Sequence, residues 1–537
     1  MIALTTRKGR RVPAAQMVFS ALGLAIGGLM LLPLAYLVMR ASEADLATVQ
    51  SLLMRPRTLQ MMLNTAALVA GVLVVCTAIA LPLAWLVSRT DLKGRRIVNV
   101  LAVMPLAVPG YVMAYALIGL GGHYGFLNQV FGYRMPMPQG WWGATLALSL
   151  YTFSYLYLNL RAAFAGLDQS LEEAARALGA TPREVFFRVT LPHLLPAMMA
   201  GWLVVGLYVI GDFGAVALMR YEVFSYAIYI QYSAAFDRVY AAWLALILIS
   251  VALSVVWLES RLREGAHYAR TGSGTGARPR RTQLSPTGHV LGWAFVVVVV
   301  LGSLGLPLSV LTFWMTRSID SGALLSAALP DLLRAFGQSL SVAVPSALAA
   351  AAMALPVAVL AVRYPSPMST FINRLAFVGY AVPALAFALA FVFFALQGAR
   401  WLYQTHLLLV TVYALSFLAL ALGPIRSALY QARPSVEESA RALGHGPASV
   451  FWRVTLPTIR PGLVAGMVLV FVVAMKELPI AFLLAPTGFR PLSITMFTRT
   501  SEGMLLEAAP YAAAIIVFSA LFVGFVLRHD RKAGDER

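Results

Sequence analysis

Residues 59–88 read LQMMLNTAALVAGVLVVCTAIALPLAWLVS, thirty positions without a charged side chain. A helix of about 20 such residues spans the hydrocarbon core of a bilayer, and helical backbone bonding satisfies its polar groups there. Comparable runs recur at about 17–39, 59–88, 97–120, 141–164, 194–219, 239–259, 288–314, 335–362, 371–396, 401–424, 461–485 and 508–527. They predict an all-α polytopic membrane protein with about 12 transmembrane helices. Of the 537 residues, 60% are hydrophobic and 12% are charged, against about 25% charged in a soluble domain. That balance excludes a soluble enzyme, which would lack the polar residues to cover its cores.

Basic residues orient the spans. Arg7, Lys8, Arg10 and Arg11 precede the first run, which exceeds the 7–15 apolar residues of a secretory signal and reads as a retained span. With the N-terminus inside, most of the 41 Lys and Arg residues fall in inner segments, so both termini are expected in the cytoplasm. The net charge of +19 then faces anionic lipid. Nucleic acid is not an expected partner, because the basic residues are scattered among spans. Cys76 is the single cysteine and the seven His residues form no HxH or HxxxH pair. No disulfide follows, and no metal site is firmly assigned.

The chain repeats itself. Residues 172–201, EEAARALGATPREVFFRVTLPHLLPAMMAG, align without a gap with 437–466, EESARALGHGPASVFWRVTLPTIRPGLVAG, and 18 of 30 positions are identical. Upstream, LPLAWLVSR (81–89) pairs with LPVAVLAVR (355–363), and Pro109 with Pro383. Six spans per half return the chain to the same side, so the halves are parallel repeats. The expected division is a first six-span half at 1–260, a cytoplasmic linker at 261–288 and a second half at 289–537. The linker, RLREGAHYARTGSGTGARPRRTQLSPTG, is rich in Gly, Ser, Pro and Arg and lacks apolar periodicity, the composition of a flexible connector.

Both copies of the polar segment fall between the fourth and fifth spans of their half, on the inner side. Ser170-Leu-Glu-Glu173 and Ser435-Val-Glu-Glu438 read as capping boxes that start a helix. Gly179 and Gly444 stand where a helix ends on a left-handed residue. Thr181-Pro182, with Glu184, reads as a second capping box, and Pro447 follows Gly446 in the other copy. The expectation is a helix–turn–helix along the inner face, once per half. Amphipathic loops of this kind can rest on lipid headgroups. Matched Glu, Ala, Gly and Pro in both halves, where the flanking spans have diverged, favour docking of a partner.

The pattern Glu173, Ala174, Ala175, Gly179, Val189, Leu191, Pro192, repeated as Glu438, Ser439, Ala440, Gly444, Val454, Leu456, Pro457, resembles the cytoplasmic loop of binding-protein-dependent ABC importer permeases. In that family the loop is a coupling helix that fits a groove on the ATP-binding subunit. The resemblance implies ATPase-coupling roles for Glu173, Ala174, Ala175, Gly179, Pro182, Glu438, Ala440, Gly444 and Pro447. It also implies two copies of an ATP-binding subunit on the cytoplasmic side, a periplasmic substrate-binding protein outside, and residence in a bacterial inner membrane. None of the four Lys residues follows a Gly, so the chain lacks a P-loop. It is expected to be a transport subunit and not an enzyme, to bind no cofactor, and to leave ATP to its partner. The fused layout, with GDFGAVALMRYEVFSYAIYIQY (211–232) and KELPIAFLLAPTGFRPLSI (476–494), resembles the ferric-iron permeases, in a branch that also carries thiamine and phosphonates.

Asp212 and Glu477 occupy equivalent positions in the two fifth spans, and Lys476 adjoins Glu477. Charge within a membrane is costly and marks function by default. Two readings stay open for this pair: lining of a translocation path, or structural contacts. Fe(III) is a hard cation suited to carboxylate and phenolate oxygens, and Tyr221, Tyr226, Tyr229 and Tyr232 follow Asp212 closely. Two other classes are weighed. TDLKGRR (90–96) is similar to an inner loop of major facilitator transporters, but Val87 stands where that family has Gly, and the family gives no account of the duplicated loop. A membrane-embedded enzyme would need clusters of His, Ser or acidic groups beyond Asp212, Lys476 and Glu477.

Overall fold

The computed structural model describes residues 14–167, 169–233, 237–264, 281–320 and 329–535. Among these the chain is helical, with no strand beyond one isolated pairing of Thr90 with Thr282. The apolar runs lie mostly on helix, and several of them are interrupted by short breaks. Among the described residues, seven helices are long and apolar enough to cross a bilayer unbroken, and three more candidates are bent pairs. The fourth and last runs lie on the helices Gly140–Gly166 and Leu505–Asp535.

The third span of each half is bent. Arg95–Ala107 and Gly110–Leu120 meet at 93°, and Pro367–Ala381 and Ala384–Gly398 at 104°. The repeat-matched prolines cause both bends. Pro109 and Pro383 are N-caps of the outgoing helices. The preceding residues, Val108 (ψ 108°) and Val382 (ψ 130°), are extended, the conformation that a following proline ring favours by crowding helical backbone.

Fourth and fifth spans pack through small residues. A Cβ at Gly462 would lie 2.7 Å from Pro424 O, and one at Gly466 would lie 2.9 Å from Ala421 O. This Gly-xxx-Gly face brings Leu456–Met475 against Leu418–Gln431 backbone to backbone. Lipid tails are as apolar as leucine, so close van der Waals contact decides which helices pair.

Contacts divide the chain into two compact units, Met1–Arg40 with Gly337–Phe489, and Ala41–Phe336 with Arg490–Arg537. Each unit therefore draws on both sequence halves. In the first, the N-terminal helix packs on second-half sequence: Gly23 faces Ile372, and Tyr36 meets Phe394 edge-on at 5.5 Å. In the second, Trp314 covers Gly119 and Trp293 covers Gly94. The helix Arg238–Glu264 runs past the boundary expected at 260. The next helix begins at Pro286, capped by Ser285 Oγ, which accepts the Gly288 N–H at 3.0 Å. Residues 265–280 of the expected linker lie outside the described residues.

Candidate functional site

The two polar loops fold alike. In the first, the helix Gln169–Ala177 ends on Gly179 at φ +89°, with Ala180 N–H donating to Ala175 O at 3.1 Å. In the second, Pro434–Ala442 ends on Gly444 at φ +87°, with His445 N–H donating to Ala440 O at 3.2 Å. Both are Schellman turns, in which a left-handed residue returns the chain to an orphan carbonyl. Nothing lies within 4 Å of a Cβ built on either glycine. Backbone conformation, not crowding, demands glycine here.

The starts of these helices differ from expectation. Ser170 lies inside Gln169–Ala177. Ser435 lies inside Pro434–Ala442, whose N-cap is Arg433 without a side-chain bond. Pro434 takes the first helical position, where its fixed φ and missing N–H fit, so Ser435 falls beyond the cap. The box at Thr181 does form: Glu184 N–H donates to Thr181 Oγ1 at 3.4 Å, and Thr181 N–H donates to Glu184 Oε2 at 2.9 Å. These bonds to its charged form hold the exposed Glu184 carboxyl below the usual carboxylate range.

The second short helices do not end before the fifth spans. Pro182–Val185 continues through a π turn, Phe186–Thr190, into Leu191–Gly211, and Pro447–Val450 continues through Phe451–Thr455 into Leu456–Met475. Leu191 N–H donates to Phe186 O and Leu456 N–H to Phe451 O, five residues back in each case. Pro192 and Pro457 follow directly. A proline clashes with the carbonyl four residues before it and has no N–H to offer, and a widened turn relieves both problems. Each loop is thus a separate helix followed by a stiff extension of the fifth span.

One buried ion pair anchors each loop. Arg89 Nη2 lies 3.5 Å from Glu172 Oε1, and Arg363 Nη2 lies 3.1 Å from Glu437 Oε1. Thr190 Oγ1 also donates to Glu172 at 2.9 Å, and Arg363 Nη2 donates to Ala432 O at 3.0 Å. Glu173 and Glu438, the motif residues singled out from the sequence, are exposed one position further on. Sequence reasoning missed the anchoring pairs. Their signal was present, since Arg89 and Arg363 end the matched LPLAWLVSR and LPVAVLAVR segments.

Outward, each loop presents apolar side chains. Leu178 is 89% exposed and its match Leu443 is 80% exposed. Leu171 and Val436, and Phe187 and Trp452, are further exposed pairs at the same spacing. Ala174, Gly179, Pro182, Gly444 and Pro447 are also exposed, whereas Ala175 is partly covered and Ala440 is buried. Exposed apolar side chains thus recur at matched positions of the two loops.

Asp212 and Glu477 are half-buried at breaks in the fifth spans and do not lie within unbroken helix. Asp212 Oδ1 accepts the N–H of Ala215 at 2.9 Å, and Glu477 Oε1 accepts that of Ile480 at 3.3 Å. Each carboxylate caps the short helix after the break. Their surroundings differ. A Cβ at Gly110 would lie 3.1 Å from Asp212 Oδ2 and 3.0 Å from the Tyr151 ring, and Tyr151 meets Tyr208 at 5.4 Å. In the second copy, Ser416 and Val473 stand at the positions of Tyr151 and Tyr208. Of the tyrosines following Asp212, Tyr221 donates to Asn64 O at 3.3 Å and Tyr229 packs on Phe213 at 5.0 Å. Among the described residues no three His, Cys, Asp or Glu side chains come together as a metal site.

The family described as "binding-protein-dependent transport system inner membrane component" matches the chain twice, over residues 80–263 and 350–533. The chain belongs to this family. The permease is 31% identical over 506 residues to the Fe(3+)-transport system permease protein FbpB 2 of Haemophilus influenzae, covering 94% of this chain and 96% of that one. It is 32% identical over 239 residues to a probable molybdenum ABC transporter permease of Haloferax volcanii, covering 43% of this chain and 84% of that one. It is 28% identical over 246 residues to the sulfate transport system permease protein CysT of Salmonella typhimurium, covering 43% and 88%. It is therefore a multi-pass inner-membrane ABC permease whose relatives are transport proteins, and the duplicated loops fall within both family matches.

Proposed function

We propose that this permease is the fused two-half channel of an importer for Fe(III). A periplasmic binding protein delivers the ion and two copies of a separate ATP-binding subunit drive its passage. The observation that carries the iron reading is the similarity, over nearly the full length of both chains, to a protein named as an Fe(3+)-transport permease. In this reading the two loops, led by Leu178 and Leu443, each seat in one ATPase copy. Glu173, Ala174, Ala175, Gly179 and Pro182 contact one copy, and Glu438, Ala440, Gly444 and Pro447 the other. ATP is bound and hydrolysed by those partners, and this chain binds no cofactor. Closure of the ATPase pair moves the loops, and the π turns carry that movement into the fifth spans. The pathway then alternates between inward- and outward-open states. Both termini lie in the cytoplasm, and Asp212 and Glu477 line the path.

The test is uptake of radiolabelled iron into vesicles holding the permease, its ATPase and its loaded binding protein. ATP-dependent iron uptake, with two ATPase chains per permease by mass, is the expected result. Absence of iron uptake, with uptake of thiamine or a phosphonate instead, would overturn the substrate.

A further inference from the structure

Asp212 and Glu477 match by position but not by electrostatic company. Lys476 directly precedes Glu477, and the two charges interact. Gly211 stands at the matching place before Asp212. Among the described residues no Lys or Arg pairs with Asp212. One carboxylate thus has a counter-charge beside it in the chain and the other has none. A membrane-embedded charge without an opposite partner is costly to keep, which points to a use for it.

The first copy surrounds its carboxylate with phenols instead. Tyr151 and Tyr155 are four residues apart on the helix Gly140–Gly166, and Tyr208 and Asp212 are four apart at the end of Leu191–Gly211. That spacing puts each pair on one helix face. The Tyr208 ring lies 5.4 Å from that of Tyr151 and 5.9 Å from that of Tyr155. Tyr151 is buried behind the group, whereas Tyr208 is 37% exposed and Tyr155 and Asp212 are partly exposed.

The two oxygens of Asp212 divide the work. Oδ1 accepts the N–H groups of Ala215 and Val216. Oδ2 accepts no hydrogen bond among the described residues, and it is not among the enclosed polar atoms. A Cβ on Gly110 would stand 3.1 Å from this oxygen, so glycine keeps the space beside it clear. In the second copy Ala384, Ser416, Leu420 and Val473 stand at the positions of Gly110, Tyr151, Tyr155 and Tyr208. The open space, the phenols and the missing counter-charge therefore coincide in one half.

We propose that the first half alone handles the substrate cation, through Asp212 Oδ2 and the Tyr208 hydroxyl, and that Lys476 keeps the matching Glu477 out of that role. Both roles presuppose a cationic substrate, as proposed above. Carboxylate and phenol oxygens suit a hard trivalent ion. Two donors fall short of a full ligand set, and a passing ion must be held weakly enough to leave. Glu477 then lines the path as a neutral pair with Lys476, and the two halves, alike in fold, differ in charge.

The experiment measures uptake of radiolabelled iron into vesicles holding the full permease, its ATPase and its loaded binding protein, with the unfolding midpoint of each purified variant as a check on folding. Tyr208→Phe keeps the ring that packs on Tyr151 and Tyr155 and removes only the hydroxyl. Its midpoint should hold while uptake falls on the order of tenfold, the loss of one oxygen contact to a charged group. Glu477→Gln leaves Lys476 without its counter-charge to repel a passing cation, and uptake should fall by a similar factor. Adding Lys476→Met to Glu477→Gln should recover most of that loss. Neutralising both members of a buried pair is mild for folding. Undiminished uptake by Tyr208→Phe, or a Glu477→Gln loss that Lys476→Met fails to restore, would overturn the assignment. Absence of iron uptake by the unmodified chain would overturn the cation reading itself, and these roles with it.

Discussion

Arg363 and Glu437 form an ion pair at 3.1 Å, in which the side chains are 13% and 10% exposed. It joins the end of one membrane helix to the base of the second polar loop, and Arg89 with Glu172 repeats the arrangement 265 residues earlier on the acidic side. Removing Arg363 leaves the buried Glu437 with only the exposed Arg441, 3.5 Å away, to offset its charge. Arg363→Met should therefore destabilise the loop by about 3 kcal/mol, the lower end for a broken buried pair. Replacing both residues with Met and Leu should cost less. Protease sensitivity of the loop in membranes would show the order. Equal sensitivity in the single and double variants would reduce the pair to packing.

Gly179 and Gly444 need left-handed backbone but have open space around them. Alanine at either position should cost about 1 kcal/mol through backbone conformation alone, and valine more. The expected phenotype is normal membrane insertion with reduced ATP-driven transport. Uptake and ATPase co-purification measured on the same Gly444→Val membranes give the comparison. Unchanged transport in both valine variants would remove the coupling role.

Leu178 and Leu443 are exposed at matched positions, so their truncation should not touch stability. Leu178→Ser with Leu443→Ser should leave the unfolding midpoint where it was and weaken ATPase binding about tenfold or more, since a leucine buried at an interface contributes about 1.5–3 kcal/mol. Binding measured against the purified ATP-binding subunit decides it. Unaltered affinity would mean that these leucines rest in lipid headgroups.

Asp212→Asn keeps an oxygen to accept the Ala215 N–H and removes the charge at nearly constant volume. The variant should fold and retain ATPase docking while iron uptake falls. Asp212→Ala, which loses the cap, should also lower stability by about 1 kcal/mol. Full uptake by Asp212→Asn would assign this carboxylate to capping alone.

The sequence by itself determined the class, the duplication and the backbone chemistry of the loops. Apolar runs of membrane length leave only helices, and Gly179, Gly444 and Thr181-Pro182 act through local rules that hold wherever the chain goes. Tertiary structure decided what depends on neighbours far along the chain. Glu172 and not Glu173 is the buried acid, because only Glu172 meets Arg89, which arrives from a helix ending 83 residues earlier. The bends at Pro109 and Pro383 were visible as a matched pair of prolines, but a proline can kink, cap or break a span, and packing selects among these. The helix Ala14–Ala41 gave no sign that it would join second-half sequence in one compact unit. Its surface is apolar on every side, and in lipid hydrophobicity names no partner: the fit of Gly23 to Ile372 does.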